Sequence, residues 1–180
     1  MIIAIDGPSA SGKSTTAKGV AKKLGITHVD TGAMYRAFTL GLKLSGISPD
    51  DNASVCQYLS EIELYFDANN KMHLNGVDVS HEIRSGDISS RVSTISAIPE
   101  VREKMVMTQR RIAGEQNCVL EGRDIGTVVF PNAEFKFFLI ADIDVRAKRR
   151  LIELEKMGET KSISELIEDI RRRDQLDSSR

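Results

Sequence analysis

The residues with the clearest chemical role lie within the first fifteen positions. Four residues separate Gly7 from Gly12, and Lys13 and Ser14 follow directly, which completes a Gly-x-x-x-x-Gly-Lys-Ser (Walker A) motif. Glycines let a backbone curl so that successive N–H groups face phosphate oxygens, and the following helix directs its positive end at the same anion. We expect Lys13 to reach the terminal phosphates and Ser14 to hold Mg²⁺, partly through water. The predicted ATP-binding loop comprises Gly7, Pro8, Ser9, Ala10, Ser11, Gly12, Lys13, Ser14 and Thr15.

The segments on either side of this loop have the patterns that such a site needs. Residues 2–5 form a short β-branched apolar run typical of a buried strand. Behind the loop, apolar residues recur at helical spacing from Ala17 to Leu24, and Gly25 predicts the end of that helix. Residues 26–30 predict a second strand. This order of strand, loop, helix and strand predicts the start of a parallel α/β sheet.

The remaining chain predicts further core elements around an interruption. Between residues 46 and 97, short strands at 62–66, 71–74 and 77–79 surround the turn signal Asn75-Gly76, which indicates antiparallel β structure. We interpret this stretch as an inserted subdomain, with a decorative loop as the alternative. The other predicted elements are helices at 34–45, 99–114 and 143–157, a last helix with a capping box at Ser162 and Glu165, and core strands at 118–120 and 135–140.

Composition limits the partners of the chain. Its 180 residues are 41% hydrophobic, enough for one core with an insertion, and 25 basic against 26 acidic residues leave a net charge of −1. This balance argues against non-specific nucleic-acid or membrane binding, and no apolar run is long enough for a transmembrane helix. Cys56 and Cys118 have no metal or redox spacing. We therefore expect a cytoplasmic protein with reduced thiols, no nucleic-acid or membrane partner, and a monomeric state.

Other nucleotide-binding classes fit less well. A GTPase switch needs D-x-x-G and N-K-x-D segments, and neither occurs in the chain. A motor or transporter ATPase needs an apolar strand that ends in an acid, and residues 117–121, which end in Glu121, match that pattern poorly. His28, His73 and His81 share no ligand spacing and receive no role.

Arginines with small polar neighbours make up the second group of chemically informative residues. They occur in DTGAMYR at 30–36, in GRDIGTVVFP at 122–131 and in an R-D-x-x-D-x-x-R segment at 173–180. With the phosphate loop, these segments resemble bacterial cytidylate kinases, a family of nucleoside monophosphate kinases, over residues 2–180. The resemblance implies a P-loop NTPase-type parallel sheet core flanked by helices (1–34 and 98–180), an inserted α+β monophosphate-binding subdomain (35–97) and a short lid (about 149–162). Family members continue with another core strand and a closing helix that this sequence does not contain.

The resemblance also implies a site for CMP. Its residues would be Thr31, Tyr35, Arg36, Ser93, Arg102, Arg123, Asp124, Arg173, Asp177 and Arg180. Arg36 and Arg123, near Tyr35, would hold the acceptor phosphate, and Asp177 with Arg173 would hold the sugar. The cytosine would be surrounded by Ser93, Arg102, Asp124 and Arg180.

Catalysis would depend on cations. Lys13, Arg123 and a lid arginine, Arg149 or alternatively Arg150, would neutralise the charge that develops on the transferred phosphoryl group. Arginine suits this task because its planar fork makes two parallel bonds to phosphate. The alternative for Arg150 is a surface ion pair with a nearby glutamate, and Arg102 on a helix is ordinarily a solvated charge.

Base recognition follows from hydrogen-bond chemistry. Cytosine offers an N4 donor beside N3 and O2 acceptors, so Asp124 can accept from N4 while Arg102 or Ser93 donates. Uracil reverses the pattern at two of these positions, and each unpaired buried group costs about 1–3 kcal/mol. The expected reaction is phosphorylation of CMP and dCMP by Mg²⁺ and ATP, a step of pyrimidine nucleotide metabolism. The alternatives are a kinase for UMP or a small hydroxy acid, and a non-catalytic nucleotide-binding switch.

Overall fold

The computed structural model describes residues 1–114 and 116–178 and contains two compact units. One unit combines residues 1–31 with the chain from residue 110 onward, and the other comprises residues 32–109. The strands are β1 (Ile2–Asp6), β2 (Thr27–Asp30), β3 (Leu64–Phe66), β4 (Met72–Leu74), β5 (Val77–Asp78), β6 (Cys118–Gly122) and β7 (Phe135–Phe138). The helices are α1 (Lys13–Leu24), α2 (Thr31–Leu44), α3 (Asn52–Glu61), α4 (Gly86–Ile95), α5 (Pro99–Ala113), α6 (Ile143–Glu155) and α7 (Ile163–Ser178). Within the described ranges, no helix is long and apolar enough to cross a membrane.

The first unit is built on a parallel sheet with the strand order β2-β6-β1-β7. Asp6 pairs in register with Gly122, and Asp30 pairs with Glu121, so the carboxyl ends of three strands meet at one edge. Strand β1 is almost wholly apolar and buried, as expected for a parallel strand covered on both faces. The predicted parallel α/β core is therefore confirmed.

Helix α1 packs on this sheet through small side chains. Ala17 and Ala21 are buried against Ile3, Ile5 and Val119, because alanines let a helix approach a strand closely. Gly25 ends the helix in a left-handed conformation at φ 65°, with its N–H donating to the Ala21 carbonyl. The end predicted for this helix is confirmed.

Helices α6 and α7 pack against each other through Ala147, Leu154, Leu166 and Ile170. The predicted capping box begins α7: the Ser162 N–H donates to Glu165 Oε2 at 2.8 Å, and the Glu165 N–H donates to Ser162 Oγ at 3.2 Å. Both groups would otherwise be unpaired donors at a helix start. The cap therefore fixes the residue at which α7 begins. This start in turn sets which residues of α7 face the edge of the sheet.

The second unit contains the predicted antiparallel β structure. Strand β4 pairs antiparallel with β3 and with β5. Asn75 and Gly76 connect β4 to β5 with positive φ angles of 49° and 82°, as a tight hairpin turn requires. This part of the prediction is confirmed.

Two helices of this unit were not predicted. Helix α3 starts at Asp51, whose carboxylate accepts the Ser54 N–H at 3.1 Å, and α4 starts at Ser85, whose hydroxyl accepts the Ile88 N–H at 3.4 Å. Both helices are ten residues long, so each offers few apolar repeats to a pattern search. Their capping residues are the local signal that could have revealed them.

The prediction of a buried core strand at 135–140 is wrong in its burial. The strand forms and pairs with β1, but Phe135, Phe137 and Phe138 are 49%, 53% and 67% exposed. Strand β7 lies at the end of the described sheet, and its phenylalanine side chains project from faces that no described element covers fully. An apolar run indicates a strand suited to burial but carries no information about what covers it.

Asp6 connects the sheet edge to the segment that follows β6. Its buried carboxylate accepts the N–H of Ile125 at 2.9 Å and the N–H of Gly126 at 2.8 Å. These amides belong to a single π-helical turn, Ile125–Val129, directly after Arg123 and Asp124. Asp6 therefore fixes the backbone next to two predicted site residues.

We predict that Asp6→Ala lowers the free energy of unfolding by about 2–4 kcal/mol, because two buried N–H groups lose their acceptor. Asp6→Asn retains one acceptor oxygen and should cost less. Chemical denaturation of both variants measures this. The matched control is Asp50→Ala, an exposed aspartate whose loss should change stability by about 0.5 kcal/mol or less; equal losses for Asp6→Ala and the control would contradict the prediction.

Candidate functional site

The loop between β1 and α1 is tightly curled. Gly7, Ala10 and Gly12 all have positive φ, at 144°, 56° and 103°. A Cβ on Gly7 would lie 2.1 Å from the carbonyl oxygen of Leu139, so only glycine fits there. The loop geometry therefore agrees with the phosphate-binding conformation that the motif predicts.

Two predicted cations hold backbone carbonyls of this loop. Lys13 Nζ donates to the Pro8 carbonyl at 2.6 Å, and Arg149 Nη1 donates to the Ala10 carbonyl at 3.2 Å. Arg150, the alternative lid arginine, instead pairs with Glu153 at 3.0 Å. The Arg149 contact connects the start of the predicted lid to the phosphate loop.

Lys13 lies in an electrostatically unfavourable position. Burial, and next the positive charge of Arg123, lower the pKa of Lys13 to about 7; Arg173 adds to this effect, while Glu121 and Asp30 oppose it. A bound anion would offset the repulsion among these cations. The site is therefore arranged to gain most from a negatively charged ligand.

Glu121, whose strand matches the pattern of a motor or transporter ATPase poorly, contacts Ser14, His28 and Thr31. Its buried carboxylate accepts the Ser14 hydroxyl at Oε2 (2.6 Å), and its Oε1 lies 2.9 Å from His28 Nε2. His28, also without a predicted role, thus contacts this carboxylate, and the Thr31 hydroxyl donates to the Glu121 carbonyl at 2.7 Å. The available signal was an acid at the end of a buried strand, and the strand order places it beside the loop.

The oxygens of Ser14 and Glu121 suit a magnesium ion. Mg²⁺ prefers oxygen ligands and is commonly held by one or two carboxylates together with substrate phosphates. In the described part of the chain, no group of three or more His, Cys, Asp or Glu side chains could form an all-protein cage. The residues present therefore fit a metal that binds together with a nucleotide.

Helix α7 contributes a carboxylate to the arginines of the site. Arg123 Nε donates to Asp177 Oδ2 at 2.8 Å, and Arg173 Nε lies 3.9 Å from the same oxygen. Asp124 lies between Arg123 and the π-helical turn, and its carbonyl accepts the Val128 N–H at 2.8 Å. The structure thus brings Arg123, Arg173 and Asp177 together.

The other predicted CMP-site residues belong to the second unit or lie outside the description. Tyr35 and Arg36 are half-buried on α2, Ser93 is buried on α4, and Arg102 is half-buried on α5. Arg180 lies outside the described residues.

Comparison with known proteins identifies the family. The family model described as cytidylate kinase matches residues 3–180. A cytidylate kinase of Caldanaerobacter subterraneus subsp. tengcongensis is 50% identical over 178 residues, which cover 99% of this chain and 79% of the relative. Cytidylate kinases of Halalkalibacterium halodurans and Clostridioides difficile are each 46% identical over 100% of this chain and cover 82% and 83% of the relatives. With the phosphate loop and its partners in place, the chain belongs to the cytidylate kinase family.

Proposed function

We propose that this enzyme transfers the γ-phosphoryl group of ATP to CMP and dCMP, giving ADP with CDP or dCDP. The observation that carries this proposal is the curled phosphate loop, with Lys13 and Arg149 on its carbonyls and the Arg123–Asp177 pair in the same unit. The names of the relatives support the choice of acceptor. The phosphotransferase class follows from the family itself.

We assign the binding of ATP, the phosphoryl donor, to the phosphate loop and to the side-chain oxygens beside it. Backbone N–H groups of residues 7–15 and the start of α1 would bind the ATP phosphates. Ser14 and Glu121 would hold Mg²⁺, which supplies neutralising charge to the donor phosphates when it is bound. Lys13 would leave the Pro8 carbonyl for a phosphate oxygen and become fully protonated.

Charge neutralisation provides most of the catalysis. Phosphoryl transfer needs positioning and stabilisation of developing charge rather than a side-chain nucleophile. Arg123 would bind the acceptor phosphate through its fork, and Arg149 would close over the donor phosphates as part of a lid at about 149–162. We assign no general base, because the acceptor phosphate is already an anion at neutral pH.

Acceptor binding is assigned to the residues that the sequence resemblance implies. We assign residues 35–97 to a monophosphate-binding subdomain, with Tyr35 and Arg36 toward the acceptor phosphate and Thr31 nearby. Asp177 and Arg173 would hold the sugar. The cytosine would contact Ser93, Arg102, Asp124 and Arg180, with the carboxylate of Asp124 accepting from the N4 amino group.

We predict that ADP release in the presence of ATP and Mg²⁺ is fast with CMP and dCMP and slow with UMP, AMP or no acceptor. Asp124→Ala should slow CMP phosphorylation and lower the preference for CMP over UMP by about tenfold, because about 1–3 kcal/mol of discrimination depends on the hydrogen bond to one carboxylate. A coupled assay of ADP release measures both. The matched control is Asp144→Ala, an aspartate at the exposed start of α6; an unchanged CMP/UMP preference in Asp124→Ala would contradict its role in reading the base.

The same panel distinguishes the alternatives. Turnover with UMP or a small hydroxy acid in place of CMP would favour a different acceptor. Tight ATP binding without turnover on any acceptor would favour a nucleotide-binding switch. A cytoplasmic location and a monomeric state stay predictions.

We predict that ATP binding at pH 8 takes up about one proton, because Lys13 is mostly neutral in the free protein and phosphate raises its pKa above 8. The sign follows from a free-state pKa of about 7: uptake should diminish as the pH falls below 7, where Lys13 is already protonated. Calorimetric titrations in two buffers of different ionisation enthalpy measure the uptake. Lys13→Arg carries a permanent charge and serves as the control; equal uptake in both proteins would rule out Lys13 as the proton acceptor.

A further inference from the structure

Arg146 on α6 is a buried cation, 5% exposed, that the proposed reaction does not use. Its Nε donates to the Ser9 carbonyl at 2.7 Å, and its Nη2 lies 3.5 Å from Ser9 Oγ. Nη1 and Nη2 donate to the two carboxylate oxygens of Asp174 at 2.7 and 2.8 Å. One side of the guanidinium therefore contacts the phosphate loop, and the other is bound bidentately to α7.

With this contact, three consecutive backbone carbonyls of the phosphate loop each accept a hydrogen bond from a cationic side chain. The consecutive carbonyls of Pro8, Ser9 and Ala10 accept from Lys13, Arg146 and Arg149 respectively. No peptide bond in the described chain is cis, and in a trans peptide the N–H points away from the carbonyl of the same plane. Holding the Ser9 carbonyl therefore points the Ala10 N–H in the opposite direction within the same peptide plane.

The loop also has features that call for external support and for a ligand. Ala10 has a φ of 56°, a conformation that residues with a Cβ rarely adopt. The buried Ser11 hydroxyl has no hydrogen-bond partner among the described residues. A strained residue next to an unsatisfied buried hydroxyl is typical of a binding loop held ready before its ligand arrives.

We propose that Arg146 is a positioning residue that pre-organises the phosphate loop for nucleotide, and that Asp174 fixes Arg146 for this purpose. The proposal rests on the proposed function and adds a residue to it. A guanidinium bound bidentately on one side has little freedom left, so its remaining N–H fixes the Ser9 peptide plane. A loop already in its binding conformation loses less entropy when ATP binds.

Asp174 also lies on the same helix as a residue that binds an arginine of the site. It lies three residues before Asp177, which binds Arg123, and residues three apart on a helix share a face. Helix α7 thus connects the support of the phosphate loop with an arginine proposed to contact the acceptor. The main effect of losing the Arg146–Asp174 pair should still be on ATP, because Arg146 itself contacts the phosphate loop.

The test compares ATP binding and steady-state kinetics in Arg146→Met, Arg146→Lys and Asp174→Asn. We expect Arg146→Met to weaken ATP binding, measured calorimetrically without acceptor, by about tenfold or more, since hydrogen bonds to a charged group are lost. Arg146→Lys should not restore binding, because an ammonium cannot form the fork. Asp174→Asn should give a smaller loss, and the KM for ATP should rise more than the KM for CMP in each variant.

The matched control is Asp169→Asn, because Asp169 is also on α7 and forms ion pairs with Lys161 and Arg172 away from the loop. It should leave ATP binding unchanged. If Arg146→Met does not fold, Asp174→Asn, which keeps the cation, provides the same comparison. Chemical denaturation of every variant separates a general loss of stability from a specific loss of ATP affinity.

Two results would overturn the inference. One is ATP affinity and a KM ratio within about twofold of the parent in folded Arg146→Met and Asp174→Asn. The other is a parent protein that does not bind ATP, which would also overturn the proposed function. A parent that binds ATP and shows the expected losses in the variants, yet phosphorylates no nucleotide, would support the inference and contradict the proposed function alone.

Discussion

Positive charges held close together in a partly buried site are the constraint on which the rest of this structure depends. Lys13, Arg123 and Arg173 repel one another, and burial adds to the cost of charging Lys13. Carboxylates at the carboxyl edge of the sheet and on α7 oppose this repulsion, Glu121 beside the loop and Asp177 on Arg123. The sheet brings its strand ends to one edge and thereby places these opposing groups together.

Charged side chains also fix the backbone of the first unit through hydrogen bonds. Asp6 holds the N–H groups of the turn after β6, and cations hold successive carbonyls of the phosphate loop. In both places a charged side chain fixes the orientation of a backbone peptide group. Such bonds are short and directional, so the loop and the turn keep their shapes although neither belongs to the sheet.

The sequence was sufficient to predict those features whose signal lies within one short segment. The loop from Gly7 to Thr15, the Asn75-Gly76 turn and the cap at Ser162 each depend on neighbouring residues, and all were predictable. Glu121 was not, because its role depends on β6 lying beside β1, which no short segment encodes. Arg146 looks like any charged helix residue until α6 is placed against the loop. The exposure of residues 135–138 depends on what neighbours the strand, which an apolar run does not reveal.

The titration of Lys13 also bears on its chemical reactivity. An ordinary lysine amine is almost entirely protonated at neutral pH, whereas an amine with a pKa of about 7 is about half neutral there and has a free electron pair. The lowered pKa of Lys13 therefore favours the neutral amine in the nucleotide-free protein, although the side chain is buried and its Nζ donates to the Pro8 carbonyl. A bound phosphate favours the protonated amine instead, so nucleotide binding lowers the reactivity of this side chain.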